Sequence, residues 1–389
     1  MSWPTVKLGD VAKFINGGTP SKEITEYWSG YTAWISSADI VEDAIQKPRH
    51  YISDIAIQKS STNIVPANTL LVVTRTGVGK LAITTEPLCF SQDITAVILR
   101  EHCDINFVAK SIKSQTNSLV AQARGATIKG ITRDVLESLL IPLPPLAEQK
   151  RIAAILDKAD EIKRKREQAI AKLDQLAQSI FVEMFGNIAN NDKGWELQKL
   201  SKLSTFENGD RSSNYPSGDD LKDTGILFLS TKNIVNSKLD LNTTNFITEE
   251  KFNSLSRGKA KLNDLIITLR GTLGSCCIFD CKQETAFINA QMMIIRPQES
   301  ILSIFLHAFL TSSQSKKYLL NIGNGAAVPQ LTSKQFADLL LPLPPLALQE
   351  QFATRISKLE KLKASNIAAL EKHNQLFASL QNQAFTGQL

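Results

Sequence analysis

The phrase LLIPLPPLAEQ at 139–149 returns as LLLPLPPLALQ at 339–349, a shift of 200 residues. Proline fixes φ and pushes the residue before it towards extended backbone, so each copy must stop a helix and impose an extended link. Each link then opens about forty residues of helical patterning, roughly 60 Å at 1.5 Å per residue. A chain that carries this stop twice is one folding unit written twice. The expected segments are a globular domain at 1–144, a spacer helix at 145–187, a second globular domain at 188–344 and a second spacer helix at 345–389.

The repetition extends beyond the prolines. Trp3, Lys7, Leu8, Phe14 and Gly17 match Trp195, Lys199, Leu200, Phe206 and Gly209. WISSADIV (34–41) resembles FLSTKNIV (228–235), and LLVVTRTGVG (70–79) resembles LIITLRGTLG (265–274). SQDITAVILR (91–100) echoes NAQMMIIRP (289–297), with Gln92 set against Gln291, and GATIKGIT (125–132) echoes GAAVPQLT (325–332). Short runs rich in Ile, Val, Leu and Thr predict strands at Thr32–Ile35, Leu70–Thr74 and Ile94–Leu99. Their counterparts are Ile226–Leu229, Leu265–Leu269 and Met292–Ile295. Helices follow near Phe107–Ala123 and Leu302–Leu320, then a turn of helix N-capped by Thr132 or Thr332.

In the long helical segments Ile152, Ala159, Arg166, Leu173 and Ile180 stand seven apart, as do Ile155, Ile162, Ala169 and Leu176. The second copy has Phe352, Leu359, Asn366, His373 and Leu380 beside Leu362, Ala369 and Leu376. These two columns are expected to form the seam. A third column (Leu156, Ile170, Ala177, Met184; Ile356, Leu370, Phe377, Ala384) widens the apolar face. The predicted fold is therefore α+β: two similar globular domains joined by two long helices that form an antiparallel coiled coil, with a pseudo-twofold repeat. Arg166, Asn366 and His373 interrupt the seam as register-setting residues. The run Lys163-Arg164-Lys165-Arg166 is either a solvated face or a phosphate contact.

The composition, 43% hydrophobic and 21% charged, is that of a folded protein, and the net charge of +6 fits an anionic partner. No apolar run reaches the length of a membrane span, and the N-terminal residues lack a signal core, so a cytoplasmic protein is expected. Cys276 and Cys277 are adjacent, which on a strand sends them to opposite faces and makes joint metal binding poor geometry. GVGK (77–80) has Thr74 and Leu81 where a phosphate loop needs glycine and a hydroxyl residue, so it reads as a strand-flanked turn. A G-x-S-x-G elbow, an HExxH helix and an adenine-methyltransferase loop are all missing from the sequence, and the chain reads as non-catalytic.

Two variable segments, each ending in PLPPLxxQ and a long helix, resemble the specificity (S) subunit of Type I restriction–modification enzymes. The similarity rests on IPLPPLAEQKRIAAILDKAD (141–160), NGGTPSK (16–22), TRTGVG (74–79) and the repeat itself. In the second copy Ala347-Leu348-Gln349 and NGDRSSN (208–214) depart from the pattern. The resemblance implies that each globular half is a target-recognition domain reading one half of a split, asymmetric site in double-stranded DNA. It implies that the helices act as a ruler and dock two modification subunits. S-adenosylmethionine would then belong to those subunits, and ATP and Mg to restriction subunits, with no cofactor on this chain.

Loops are expected to supply the DNA contacts. The candidates are Thr19, Ser21, Lys22, Arg75, Lys80, Arg124 and Lys129 in the first half, and Arg211, Ser212, Ser213, Asn214, Lys232 and Arg270 in the second. Arginine suits guanine, and Asn or Gln suits adenine. Arg75 and Arg270 recur in both halves, which points to a phosphate or structural role for them. The rival reading is a coiled-coil scaffold that binds proteins through its globular ends.

Overall fold

The computed structural model describes residues 3–125, 129–187, 190–323 and 330–389. The chain divides into two compact units, residues 1–167 with 368–389, and residues 168–367.

Unit 1 contains ten principal strands: β1 (Thr5–Lys7), β2 (Ala12–Asn16), β3 (Thr32–Ile35), β4 (His50–Ile52), β5 (Ile64–Val65), β6 (Leu70–Val73), β7 (Leu81–Ile83), β8 (Leu88–Phe90), β9 (Ile94–Leu99) and β10 (Leu140–Pro142). They form one four-stranded sheet ordered β4-β3-β8-β5 and another ordered β2-β9-β6-β7, with β1 paired to β10. The pair β3–β8 is parallel, and the other pairs among these strands are antiparallel. Along β6 the side chains alternate between two cores. Leu71 and Val73 pack against the other sheet with Ile35 and Phe90. Leu70 and Val72 pack on the opposite face with Phe107 and Ile112 of helix α1 (Ile105–Ser114), and with Ile152 and Leu156 of helix α2 (Leu146–Phe185). Burial on both faces explains why this stretch reads as an unbroken Leu-Leu-Val-Val run rather than an alternating one.

Unit 2 repeats the plan with β11 (Glu196–Lys199), β12 (Ser204–Asn208), β13 (Ile226–Leu229), β14 (Asn245–Ile247), β15 (Lys259–Lys261), β16 (Leu265–Thr268), β17 (Cys276–Ile278), β18 (Thr285–Ile288), β19 (Met292–Pro297) and β20 (Leu340–Leu343). The sheets run β14-β13-β18-β15 and β12-β19-β16-β17, with β11 on β20. Helices α3 (Ser303–Thr311) and α4 (Leu346–Thr386) take the places of α1 and α2. Cys276 faces the helix-side core and Cys277 the core between the sheets, so the adjacent thiols do point apart. Burial pushes the Cys277 thiol up to about 12.

The repeated glutamine explains the repeated phrase. Gln149 is fully buried in the first turn of α2; its Oε1 accepts from Asp104 N at 2.8 Å. Its Nε2 donates to Pro144 O at 2.8 Å and to His102 O at 3.1 Å. Gln349 does the same in unit 2, with Leu302 N at 2.9 Å, Pro344 O at 2.9 Å and Ser300 O at 3.2 Å. One side chain thereby fastens the extended proline link, the approach to α1 or α3, and the start of the long helix.

Within each unit the long-helix segments run antiparallel. In unit 1 Arg151 reaches Leu389 O at 3.3 Å, and the His373 ring nitrogen meets Ala159 O at 2.9 Å. In unit 2 the Phe181 and Phe352 rings are 5.5 Å apart, and Lys363 bonds Asp174. His373 thus acts as a register contact across the helices. The two matching tryptophans close the helix ends: Trp3 Nε1 donates to Ala384 O at 2.8 Å and Trp195 Nε1 to Phe185 O at 3.1 Å.

Two expectations need correction. The second apolar column does not lie in the seam: Ile162, Leu176, Leu362 and Leu376 are 38%, 45%, 52% and 69% exposed. The inward positions alternate three and four apart through 152, 156, 159, 163, 166 and 170, which joins the first column to the third. Thr332 caps its helix through Gln335 N at 3.3 Å, with Gln335 returning the bond. Thr132 makes no such bond; the matching position is Val135, which has no polar group to reciprocate.

Gln149→Ala or Gln349→Ala removes the side-chain partner of three backbone groups, of which the carbonyl of Pro144 or Pro344 is buried. The expected loss is about 2–5 kcal/mol of unfolding free energy, read by chemical denaturation. A second test concerns His307, whose Nε2 lies 3.0 Å from Ser237 O and 3.2 Å from Cys276 O. Burial lowers its pKa, outweighing these carbonyl contacts. The unfolded chain then binds more protons below the ordinary histidine value of about 6.5, so stability falls as pH drops through that value. Wild-type stability should decline more steeply than that of His307→Gln between about pH 7 and 5.

Candidate nucleic-acid interface

At one edge of unit 1 three loops converge. They are the first loop after β2, the turn between β6 and β7, and the turn between β8 and β9. Short strands bring them together: Gly17 N donates to Ile94 O at 3.2 Å and Thr74 N to Asp93 O at 2.8 Å. Here Thr19 bonds Gln92 Oε1, and Thr76 donates to Asp93 Oδ2 at 3.0 Å while lying 3.1 Å from Ser37 Oγ. Thr76 holds φ at +50°, a conformation unusual for a β-branched residue. The equivalent position in unit 2 is Gly271, at φ +81°. Unit 1 thus keeps a strained hydroxyl residue where glycine would serve the backbone better.

A cleft of about 620 Å³ opens beside this edge, lined by Thr19, Lys22, Trp28, His50, Gln92 and Asp93 among others. Trp28 stands edge-on to Trp34 at 5.2 Å and to His50 at 5.6 Å, and Trp34 Nε1 donates to Gly18 O at 3.0 Å. The lining offers flat aromatic walls with mixed donors and acceptors, which suits a base edge or a sugar-phosphate more than a greasy ligand.

The predicted cations are partly brought together. Arg75 and Arg124 both form backbone bridges to Gly130, the neighbour of exposed Lys129. A side chain at Gly130 would collide with the Arg75 stem, 2.7 Å from the Cβ position. Arg75, Arg124 and Lys129 therefore form one basic edge. In unit 2 Arg270 makes the same bridge to Gln330, and its Nε donates to Gln330 Oε1 at 3.0 Å. The shared bridge accounts for the repeated arginine as part of the framework.

Lys80 is half-buried, and its Nζ donates to Ile40 O at 3.2 Å and Ser37 O at 3.4 Å. Two of the three ammonium donors thereby tie the turn between β6 and β7 to the turn after β3. Ser21 Oγ accepts from Glu23 N at 3.3 Å, while Lys22 is exposed at the cleft rim.

In unit 2, Arg211, Ser212, Ser213 and Asn214 are exposed on the first loop, and Lys232 on the turn after β13. Buried Asp210 anchors that loop: Oδ1 accepts from Ser212 N at 2.6 Å and Oδ2 from Ser256 Oγ at 3.1 Å. Burial opposes its ionised form, but the hydrogen bonds from Ser212 and Ser256 outweigh it and hold the carboxyl at about 2. Arg211 Nη2 donates to Ala290 O at 3.0 Å.

The geometry also revises one pairing. Leu269 N donates to Gln291 O at 2.8 Å, as Thr74 N does to Asp93 O. Gln291 is thus the counterpart of Asp93, and Gln92 that of Ala290. Sequence reasoning missed Ser37, Thr76, Gln92, Asp93 and Asp210 as parts of the site. The one available signal was position: Asp210 follows a matched glycine, and the other four lie inside matched phrases, where repetition reads as framework.

The Type I restriction modification DNA specificity domain matches residues 1–172 and 192–372. Across its whole length the chain is 22% identical to the MjaVIII specificity subunit of Methanocaldococcus jannaschii, covering 93% of that protein. Over 169 residues, 42% of this chain and 41% of the relative, it is 34% identical to the EcoR124I/EcoR124II specificity subunit of Escherichia coli. The fold is similar to the S subunit structure from M. genitalium, with a TM-score of 0.61 at 17% identity, covering 99% of this chain and 96% of that one. It is also similar to a chain from a structural study of assembly and conformational transition in the type I R-M system, with a TM-score of 0.62 at 18% identity, covering 100% and 98%. The duplicated sandwich, the glutamine-fastened helices and these matches place the chain in the family of Type I restriction–modification DNA specificity subunits.

Proposed function

We propose that this chain is the recognition subunit of a Type I restriction–modification assembly and does no chemistry itself. Residues 1–144 and 188–344 would each read one half of a split, asymmetric site in double-stranded DNA. Residues 145–187 and 345–389 would set the unread spacer and dock two modification subunits. The carrying observation is that one framework occurs twice, yet equivalent turns present different side chains: Thr19 against Arg211, Gln92 against Ala290, Thr76 against Gly271. A duplicated scaffold with unlike loops suits two different half-sites.

Three features give the reading physical content. The basic edge of Arg75, Arg124 and Lys129 suits phosphates, which position a protein without specifying sequence. The aromatic cleft beside it suits base contacts. The exposed apolar residues of the long helices, Ile162 and Leu376 in unit 1 and Leu176 and Leu362 in unit 2, offer a surface for a protein partner. Methyl transfer with S-adenosylmethionine would fall to the modification subunits, and ATP- and Mg-dependent cleavage to restriction subunits. All would act on DNA in the cytoplasm.

Adenine-methylation mapping with and without the gene tests this directly. A split methylated motif should vanish in the deletion strain; a deletion methylome identical to wild type defeats the proposal. DNA binding should weaken steeply with salt. Inserting four residues after Gln168 adds about one helical turn, roughly 6 Å. The unread spacer should lengthen while both half-sites keep their bases. Altered bases with an unaltered spacer would contradict the ruler role.

A further inference from the structure

In each unit the first loop is joined to the turn that leads into the central sheet strand. Gly17 N on Ile94 O at 3.2 Å and Gly209 N on Met292 O at 3.1 Å put this joint at the same place in both frameworks. Its chemistry differs. In unit 1 Thr19 bonds Gln92 Oε1; in unit 2 Arg211 Nη2 donates to Ala290 O at 3.0 Å.

Gln92 is exposed and lines the cleft. A carbonyl oxygen has two lone pairs, and Thr19 engages one of them. The other lone pair and an amide N–H stay side by side. That acceptor–donor edge matches N6 and N7 of adenine. Arg211 is exposed and commits one N–H to Ala290 O. Its remaining donors keep the fork that matches O6 and N7 of guanine. Both side chains are braced before any base arrives, which reduces the ordering cost of the contact.

We propose that this joint determines specificity in both units: Gln92, positioned by Thr19, reads an adenine in one half-site, and Arg211, braced on Ala290, reads a guanine in the other. The assignment rests on the DNA-reading function above.

Methylation mapping of the native host first gives the wild-type motif. The chain, in complex with its modification subunits, is then measured for binding to duplexes carrying that motif with each specified base changed in turn. Gln92→Ala should reduce discrimination at one adenine roughly ten- to a hundredfold, leaving the other half-site unchanged. Arg211→Ala should do the same at one guanine in the opposite half. Gln92→Glu, an acceptor without a donor, should move the preference at its position from adenine to cytosine. Thr19→Val should give a smaller loss at the same adenine as Gln92→Ala, and Thr19→Ser should restore it. Unfolding midpoints equal to wild type establish that the variants are folded.

Unchanged discrimination, weakening spread evenly over all duplexes, or both losses in one half-site would each overturn the assignment. Even weakening would mark the residues as phosphate contacts. A normal wild-type motif with unaltered variants overturns this inference alone. A host without any split motif overturns the functional reading and this inference together.

Discussion

The buried amide of Gln149, and its twin in Gln349, is the contact on which each unit turns. Proline has no N–H, so Pro144-Pro145 and Pro344-Pro345 cannot extend the β1–β10 and β11–β20 pairs that precede them. Their carbonyls still need donors where they are buried. Pro145 O receives the first helical amides, Glu148 N at 2.8 Å and Gln149 N at 3.0 Å, while Pro144 O receives the glutamine side chain at 2.8 Å. The same amide holds the approach to α1. A helix that must leave a sandwich in a fixed direction needs such a corner, and a loop held only by apolar packing would let it swing.

The next constraint is the doubly buried strand. Leu70–Val73 and Leu265–Thr268 are covered by the second sheet on one face and by helices on the other. No residue there can change much in size without strain or a cavity. Variation is thereby confined to the turns at the strand ends. Those turns carry Arg75, Thr76, Gln92 and Asp93 in one unit, and Arg270, Gly271, Ala290 and Gln291 in the other.

Much of this is written in the residues. The strand at Thr32–Ile35 and its partner at Ile226–Leu229 have the bounds their composition implies, and the prolines end the sandwich where their φ restriction demands. Other features depend on contacts that no local pattern encodes. Three apolar columns are visible in the long helices, yet only tertiary packing decides that Ile162 and Leu376 face outwards. Gln92 and Gln291 look like partners by identity, but a one-residue difference in turn register separates them. Lys80 has the chemistry of a phosphate ligand, yet two of its donors meet carbonyls of the turn after β3. Each of these outcomes is fixed by a hydrogen bond or a buried surface formed with residues distant in sequence.

Thr76 gives the two readers different mechanical characters. Its left-handed backbone is held against strain by Asp93 and lies beside Ser37, so the unit 1 turn reaches its working shape as the domain folds. Gly271 meets the same bend without strain, and Thr268 holds that turn from its strand end: its Oγ1 bonds Thr272 O and accepts from Ser275 N at 3.0 Å. Side chains thus tie the first turn to other loops and the second to its own strand. Losing Asp93 would leave the first turn strained without its brace, a sensitivity that the second turn, built on glycine, does not share.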